Sequence, residues 1–170
     1  FPYPVIDSSD GKPVFLAKRR KFRSLEELKD AGYSVEYPFA HFFNGSLISR
    51  NALSLAGNVD INYFIYGEEL DFLYRLQNFG AVRTILASRH YHPDVSDRPF
   101  GSTKFFYYLK NSIIINWKYH NLFLLRSACC VAIGIARSVL RNGFRVFAFN
   151  HIKLIPRAIV DAMRNIFEQG

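Results

Sequence analysis

"YFIYGEELDFLYRL", residues 63 to 76, sets three carboxylates, Glu68, Glu69 and Asp71, within four positions, directly after a glycine. The aromatic and β-branched run before Gly67, "INYFIY", reads as a buried strand. The acids then open a helix that the apolar spacing carries to Phe79 and that Gly80 closes. Upstream, "FAHFFNGSLISR" reads as a strand broken by a glycine, and Ser49 is placed to cap a short helix through Leu55 that Gly57 stops. Downstream, "AVRTILAS" reads as a third strand ending in "RHYHPD". Strands alternating with helices predict an α/β fold, with the acids at the carboxyl edge of its sheet, where open sheets bind their ligands.

The acids have two readings. In a helix's first turn, carboxylates complement the macrodipole, and Asp71 is spaced to pair with Arg75 one turn on. At a sheet edge they form a site instead. His90 and His92, at the end of the next strand, reach the same edge if the two strands are parallel neighbours, and carboxylates beside an imidazole are what a general-base or metal-assisted site needs. His41 and His90 are weaker candidates than His92, because a histidine beside aromatics is commonly a packed or surface residue.

Composition bounds the partners. A chain of 170 residues that is 49% hydrophobic can bury one sizeable core, which excludes a disordered chain. The 22 Lys+Arg against 14 Asp+Glu give a net charge of +8, which favours polyanions, phosphate-bearing ligands or an anionic membrane surface without choosing among them. The basic run "KRRKFR", Lys18 to Arg23, has no nucleic-acid fold signature around it, so no nucleic-acid partner is expected. Cys129 and Cys130 are adjacent in an apolar run, a poor arrangement for a disulfide, and suit a reduced, cytoplasmic setting.

The remaining stretches divide in character. "FPYPVIDSSDGKPVFLA" reads as two short extended pieces around turn formers, and Ser24 with Glu27 caps a short helix that Gly32 stops. From Lys104 onward three helices follow, "KFFYYLKNSIIINWKYH", "NLFLLRSACCVAIGIARSVLRNG" and "IPRAIVDAMRNIFEQ", so residues 1–103 are expected as the α/β part and 104–170 as a helical tail. In the middle helix Arg126, Arg137 and Arg141 fall near one face. They fit anionic headgroups at a membrane surface, the alternative being a packed helix with its arginines in water. The uncharged run between Arg126 and Arg137 is shorter than the roughly 20 residues of a bilayer span, so a spanning helix is not expected.

The stretch Phe42 to Pro93 resembles the acceptor-side half of family 2 glycosyltransferases of the GT-A fold, with the nearest likeness to bacterial rhamnosyltransferases and galactofuranosyltransferases. The likeness rests on a Gly-containing strand, a helix ending in Gly, the "YGEE" acidic motif, an Arg on the following helix and a His after the next strand. "YYLKNSIIINWKY" also resembles the family's tail, where an (R/K)N pair is common. The resemblance implies a partial GT-A-like mixed sheet with flanking helices and an α-helical C-terminal tail. It implies Glu69 as the general base, Glu68, Asp71, Asn44 and Gly45 at the acceptor, and His92 at a divalent metal, Mg or Mn, on the leaving diphosphate. The implied partners are a nucleotide-sugar donor, a glycan or lipid-linked glycan acceptor in surface polysaccharide synthesis, and the inner face of the cytoplasmic membrane. Two departures stand out: the family often has Asp where this chain has Glu69, and the family's Asp-x-Asp occurs nowhere in the sequence. The chain is therefore expected to be a C-terminal fragment, inactive by itself.

Overall fold

The structure, a computed structural model, describes residues 5–7, 15–17, 20–22, 46–81, 90–92 and 99–169. The chain forms two compact units, Phe1–Asn58 with Phe72–Ser96, and Val59–Asp71 with Asp97–Gly170.

In the first unit, β1 (Val5–Asp7) pairs in parallel with β4 (His90–His92), Asp7 opposite His92, and β2 (Phe15–Ala17) pairs antiparallel with β3 (Arg20–Phe22). The basic run is thus partly a strand. Helix α1 (Arg50–Ala56) starts and stops where the sequence predicts. The Ser49 hydroxyl accepts the Ala52 N–H at 3.0 Å, and Gly57 ends the helix at a φ of 74° that a side chain rarely adopts. The Arg75 guanidinium donates to the Ala56 carbonyl, one of the carbonyls that α1 leaves without an intrahelical partner.

The second unit is helical. Helix α3 (Ser102–Tyr119) is its centre, and α4 (Phe123–Asn142) turns back along it after a three-residue connection. Asn142 fixes the pairing by donating to the Phe100 carbonyl at 2.8 Å while accepting the Phe100 N–H at 3.1 Å. Gly134 lets the two helices approach, because a Cβ there would stand 2.9 Å from Leu109 and 3.0 Å from Tyr108. A single turn, α5 (Phe144–Val146), and a π-helical turn (Phe147–His151) lead into α6 (Leu154–Gln169), which lays Ala158, Ala162 and Ile166 inward at four-residue spacing. Phe100, Phe105, Tyr108, Leu109, Phe147 and Ala158 form the core, with His151 stacked on the Phe105 ring at 4.8 Å. Pro156 falls within the first turn of α6, where its missing N–H costs no helical bond.

The expected GT-A-like mixed sheet is not what the described residues form. Their strands are three-residue pieces in two separate two-stranded sheets, and helices hold most of the rest. "INYFIY" is the decisive correction: residues 61–66 are turn and irregular chain, not a strand. Asp60 Oδ1 accepts both the backbone N–H and the side-chain amide of Asn62, which starts a turn. Ile65 then takes a φ of 64°, which no strand accommodates. Helix α2 (Glu68–Gln77) begins at the expected acid and gives way to a turn at Asn78 and Phe79. Residues 39–45 of the strand expected in "FAHFFNGSLISR", residues 82–88 of the one expected in "AVRTILAS", and the helix expected from Ser24 lie outside the described residues.

By length and composition α4 is long and apolar enough to cross a membrane, where the sequence pattern suggested too short a run. Its 20 residues rise about 30 Å, close to the hydrocarbon thickness of a bilayer.

Candidate functional site

The acids occupy the first turn of α2, directly after Gly67, and helix α3 determines where that turn sits. Asn111, Ile115, Lys118 and Tyr119 recur at four, seven and eight residues along α3, which places them on one face. Each meets the segment 64–71. The Asn111 amide donates to the Phe64 carbonyl at 3.4 Å and to the Tyr66 carbonyl, gripping the backbone on both sides of Ile65. Gly67 has a φ of 97°, and a Cβ on it would stand 2.8 Å from the Ile115 side chain, so both conformation and space call for glycine. Lys118 Nζ and the Tyr119 hydroxyl each donate to Asp71 Oδ1 at 2.7 Å.

The three carboxylates therefore have different environments. Asp71 is fully buried and compensated by the Lys118 cation and the Tyr119 phenol, which makes it an anchor between helix start and α3. A buried carboxylate without such partners would cost several kcal/mol. Glu68 and Glu69 are half-buried. Glu68 Oε2 is shielded from solvent and meets no donor among the described residues, and the same is true of Asn111 Oδ1. An acceptor shielded in this way costs about 1–3 kcal/mol until a donor reaches it.

The other sequence candidates fall differently. His92 is on β4 and His90 opens that strand, opposite Asp7 and Val5 of β1 respectively. Asn44, Gly45 and His41 lie outside the described residues. Among the described residues no three His, Cys, Asp or Glu side chains gather as a metal would need. Arg126, Arg137 and Arg141 are exposed on α4. Arg137 also lies over the Tyr108 ring at 5.6 Å, and Arg157 of α6 over the Phe106 ring at 5.5 Å, cations held along α3 by aromatic faces.

Two histidines that the sequence reading passed over have perturbed protonation. Burial holds His151 below the ordinary histidine range, and its Nδ1 lies 2.5 Å from the Ser138 hydroxyl. Burial, and then the Arg126 charge, lower His120. Asn111, Lys118 and Tyr119 were also missed as site residues. The available signal was the (R/K)N pair in "YYLKNSIIINWKY" and its spacing of seven and eight to Lys118 and Tyr119.

Compared with known proteins, the chain matches no family model, no curated protein and no solved structure. The likeness to family 2 glycosyltransferases therefore rests on the sequence motifs alone.

Proposed function

We propose that this chain is the acceptor-side part of an inverting glycosyltransferase that transfers a rhamnose- or galactofuranose-type sugar from a nucleotide-sugar to a surface glycan. The observation that supports this reading most directly is the shielded Glu68 Oε2, which meets no donor among the described residues, next to Glu69 on a helix start that α3 fixes in place. Glu68 would accept a hydrogen bond from the incoming sugar. Glu69 would take the proton of the attacking hydroxyl as its oxygen bonds the anomeric carbon and the bond to the nucleotide diphosphate breaks, inverting that carbon. Asp71, sequestered by Lys118 and Tyr119, serves in this scheme as the anchor that orients the other two acids. No step is routed through a metal.

In the complete protein, Glu69→Gln should lower transfer by about 10²–10⁴-fold, as loss of a general base does, with an unchanged circular dichroism spectrum. Glu69→Asp should retain part of the activity. A folded Glu69→Gln protein with full activity would remove Glu69 from the base role.

A second reading is a non-catalytic basic module that docks on an anionic membrane. It is favoured by α4, whose buried residues are Ser127, Gly134 and Ser138 while Leu124, Leu125 and Leu140 face outward. Ordinary surface helices show the reverse. Membrane contact suits either reading, and the presence or absence of transferase activity in the complete protein separates them.

A further inference from the structure

Helices α4 and α6 both pack on α3 far more than on one another, and the space between them is a groove of about 410 Å³. Ile113 of α3, Leu124, Val131 and Ile135 of α4, and Ile159 and Met163 of α6 line it. Its one polar side chain, Ser127, has its hydroxyl engaged by the Asn116 amide at 3.3 Å. The groove thus offers no free polar side chain to orient a polar ligand, while its volume is that of a small-molecule site. Outside it, Leu140, Phe149 and Phe167 are each at least three-quarters exposed. The segment 123–169 carries seven Lys and Arg against two Asp and Glu. Its packing on α3 through Ser127, beside Asn116, and Gly134, beside Tyr108 and Leu109, is the small-residue contact that helices use when their other faces meet lipid.

Resting on the membrane-contact reading above, we infer that the α4–α6 groove takes one acyl chain of an anionic bilayer phospholipid. The surrounding arginines engage headgroups, and the exposed leucines and phenylalanines enter the boundary between headgroups and chains. The hydrocarbon of the bilayer is the occupant because the lining is apolar, the flanking charge is positive and the outward face is apolar as well.

The test uses the full 170-residue chain and phosphatidylcholine vesicles with and without phosphatidylglycerol, with bromine on the acyl chains. Trp117, the single tryptophan, lies one helical turn from Ile113 and reports through quenching. Wild type should bind the phosphatidylglycerol vesicles and be quenched, and Arg126→Gln and Arg141→Gln should each weaken binding about fivefold. Ala132→Phe fills the groove from an exposed position, so it should weaken binding about tenfold, the contribution of roughly two methylenes withdrawn from hydrocarbon. If only the outer face met the membrane, the added ring would instead leave binding unchanged or tighten it, and that result overturns the groove while keeping membrane contact. Wild type that ignores both vesicles overturns the membrane reading and the groove with it. A chain that is dimeric without lipid and monomeric as Ala132→Phe assigns the groove to a second copy instead.

Discussion

Helices α3 and α4 are of similar length, 18 and 20 residues, and bury opposite things. Nine residues of α3 are buried, among them Phe105, Leu109, Ile113, Ile114 and Ile115. On α4 only Ser127, Gly134 and Ser138 are buried, and the large apolar side chains Leu124, Leu125 and Leu140 are turned out. The difference teaches that hydrophobicity by itself does not assign a helix to a protein core. Helix α3 meets neighbours on several sides, the segment 64–71 among them, whereas α4 meets the core with small residues that allow close approach and with the half-buried Val131, Ile135 and Val139.

If that contrast is correct, truncations on the two helices should differ most. Leu109→Ala, at a fully buried position, should cost about 2–5 kcal/mol in urea unfolding. Next in size, Asp71→Ala should cost about 2–3 kcal/mol, because Lys118 is partly exposed and can turn to water once its partner is gone. A loss near zero would mean that the acid does not anchor the helix start.

The acid sensitivity of the helical unit should be smaller and should come from its buried imidazole. Because the folded state lowers the His151 pKa below the ordinary value of about 6.5, both states are uncharged above that pH, and stability there is independent of His151. As pH falls below about 6.5 the unfolded chain protonates first, so stability declines until the folded value is passed. Unfolding midpoints at about pH 7.5 and 5.5 should therefore differ more for wild type than for His151→Gln, which isolates this group from the carboxylates. Smallest of all, Leu140→Ala, 85% exposed, should change stability in water by no more than about 0.5 kcal/mol. A large loss there would show that the outer face of α4 is covered in solution.

Local signals made part of this legible in the sequence. Ser49 and Gly57 delimit α1, Gly67 and the acids open α2, and the three long helices follow from their apolar spacing. What misled was "INYFIY", whose composition favours a strand but whose conformation is decided by Asn111, 45 residues from Tyr66, and by the Asp60 turn. Strand propensity reports how a side chain fits a pleated surface, and among the described residues no strand pairs with it. The direction of α4 was equally hidden, since Arg126, Arg137 and Arg141 marked an outer face without revealing that the fully buried residues of the inner one are serine and glycine, flanked by Val131, Ile135 and Val139. Asp71 was recognised as an acid worth attention, but its partners lie 47 and 48 residues away, beyond any local pattern.

Ile65 gives the acid-bearing turn one more property. A branched side chain at a φ of 64° carries about 1–2 kcal/mol of backbone strain, and such a conformation persists only where the surroundings over-determine it. Here the restraint comes from α3: the Asn111 amide holds the carbonyls on either side, and the Phe64 and Tyr66 rings meet Tyr107 and Tyr108 edge-on at 5.1 and 4.8 Å. The segment ahead of Glu68 and Glu69 is thus a loaded spring latched to α3. Any motion that draws α3 away from it is assisted, not resisted, by the backbone of the loop itself.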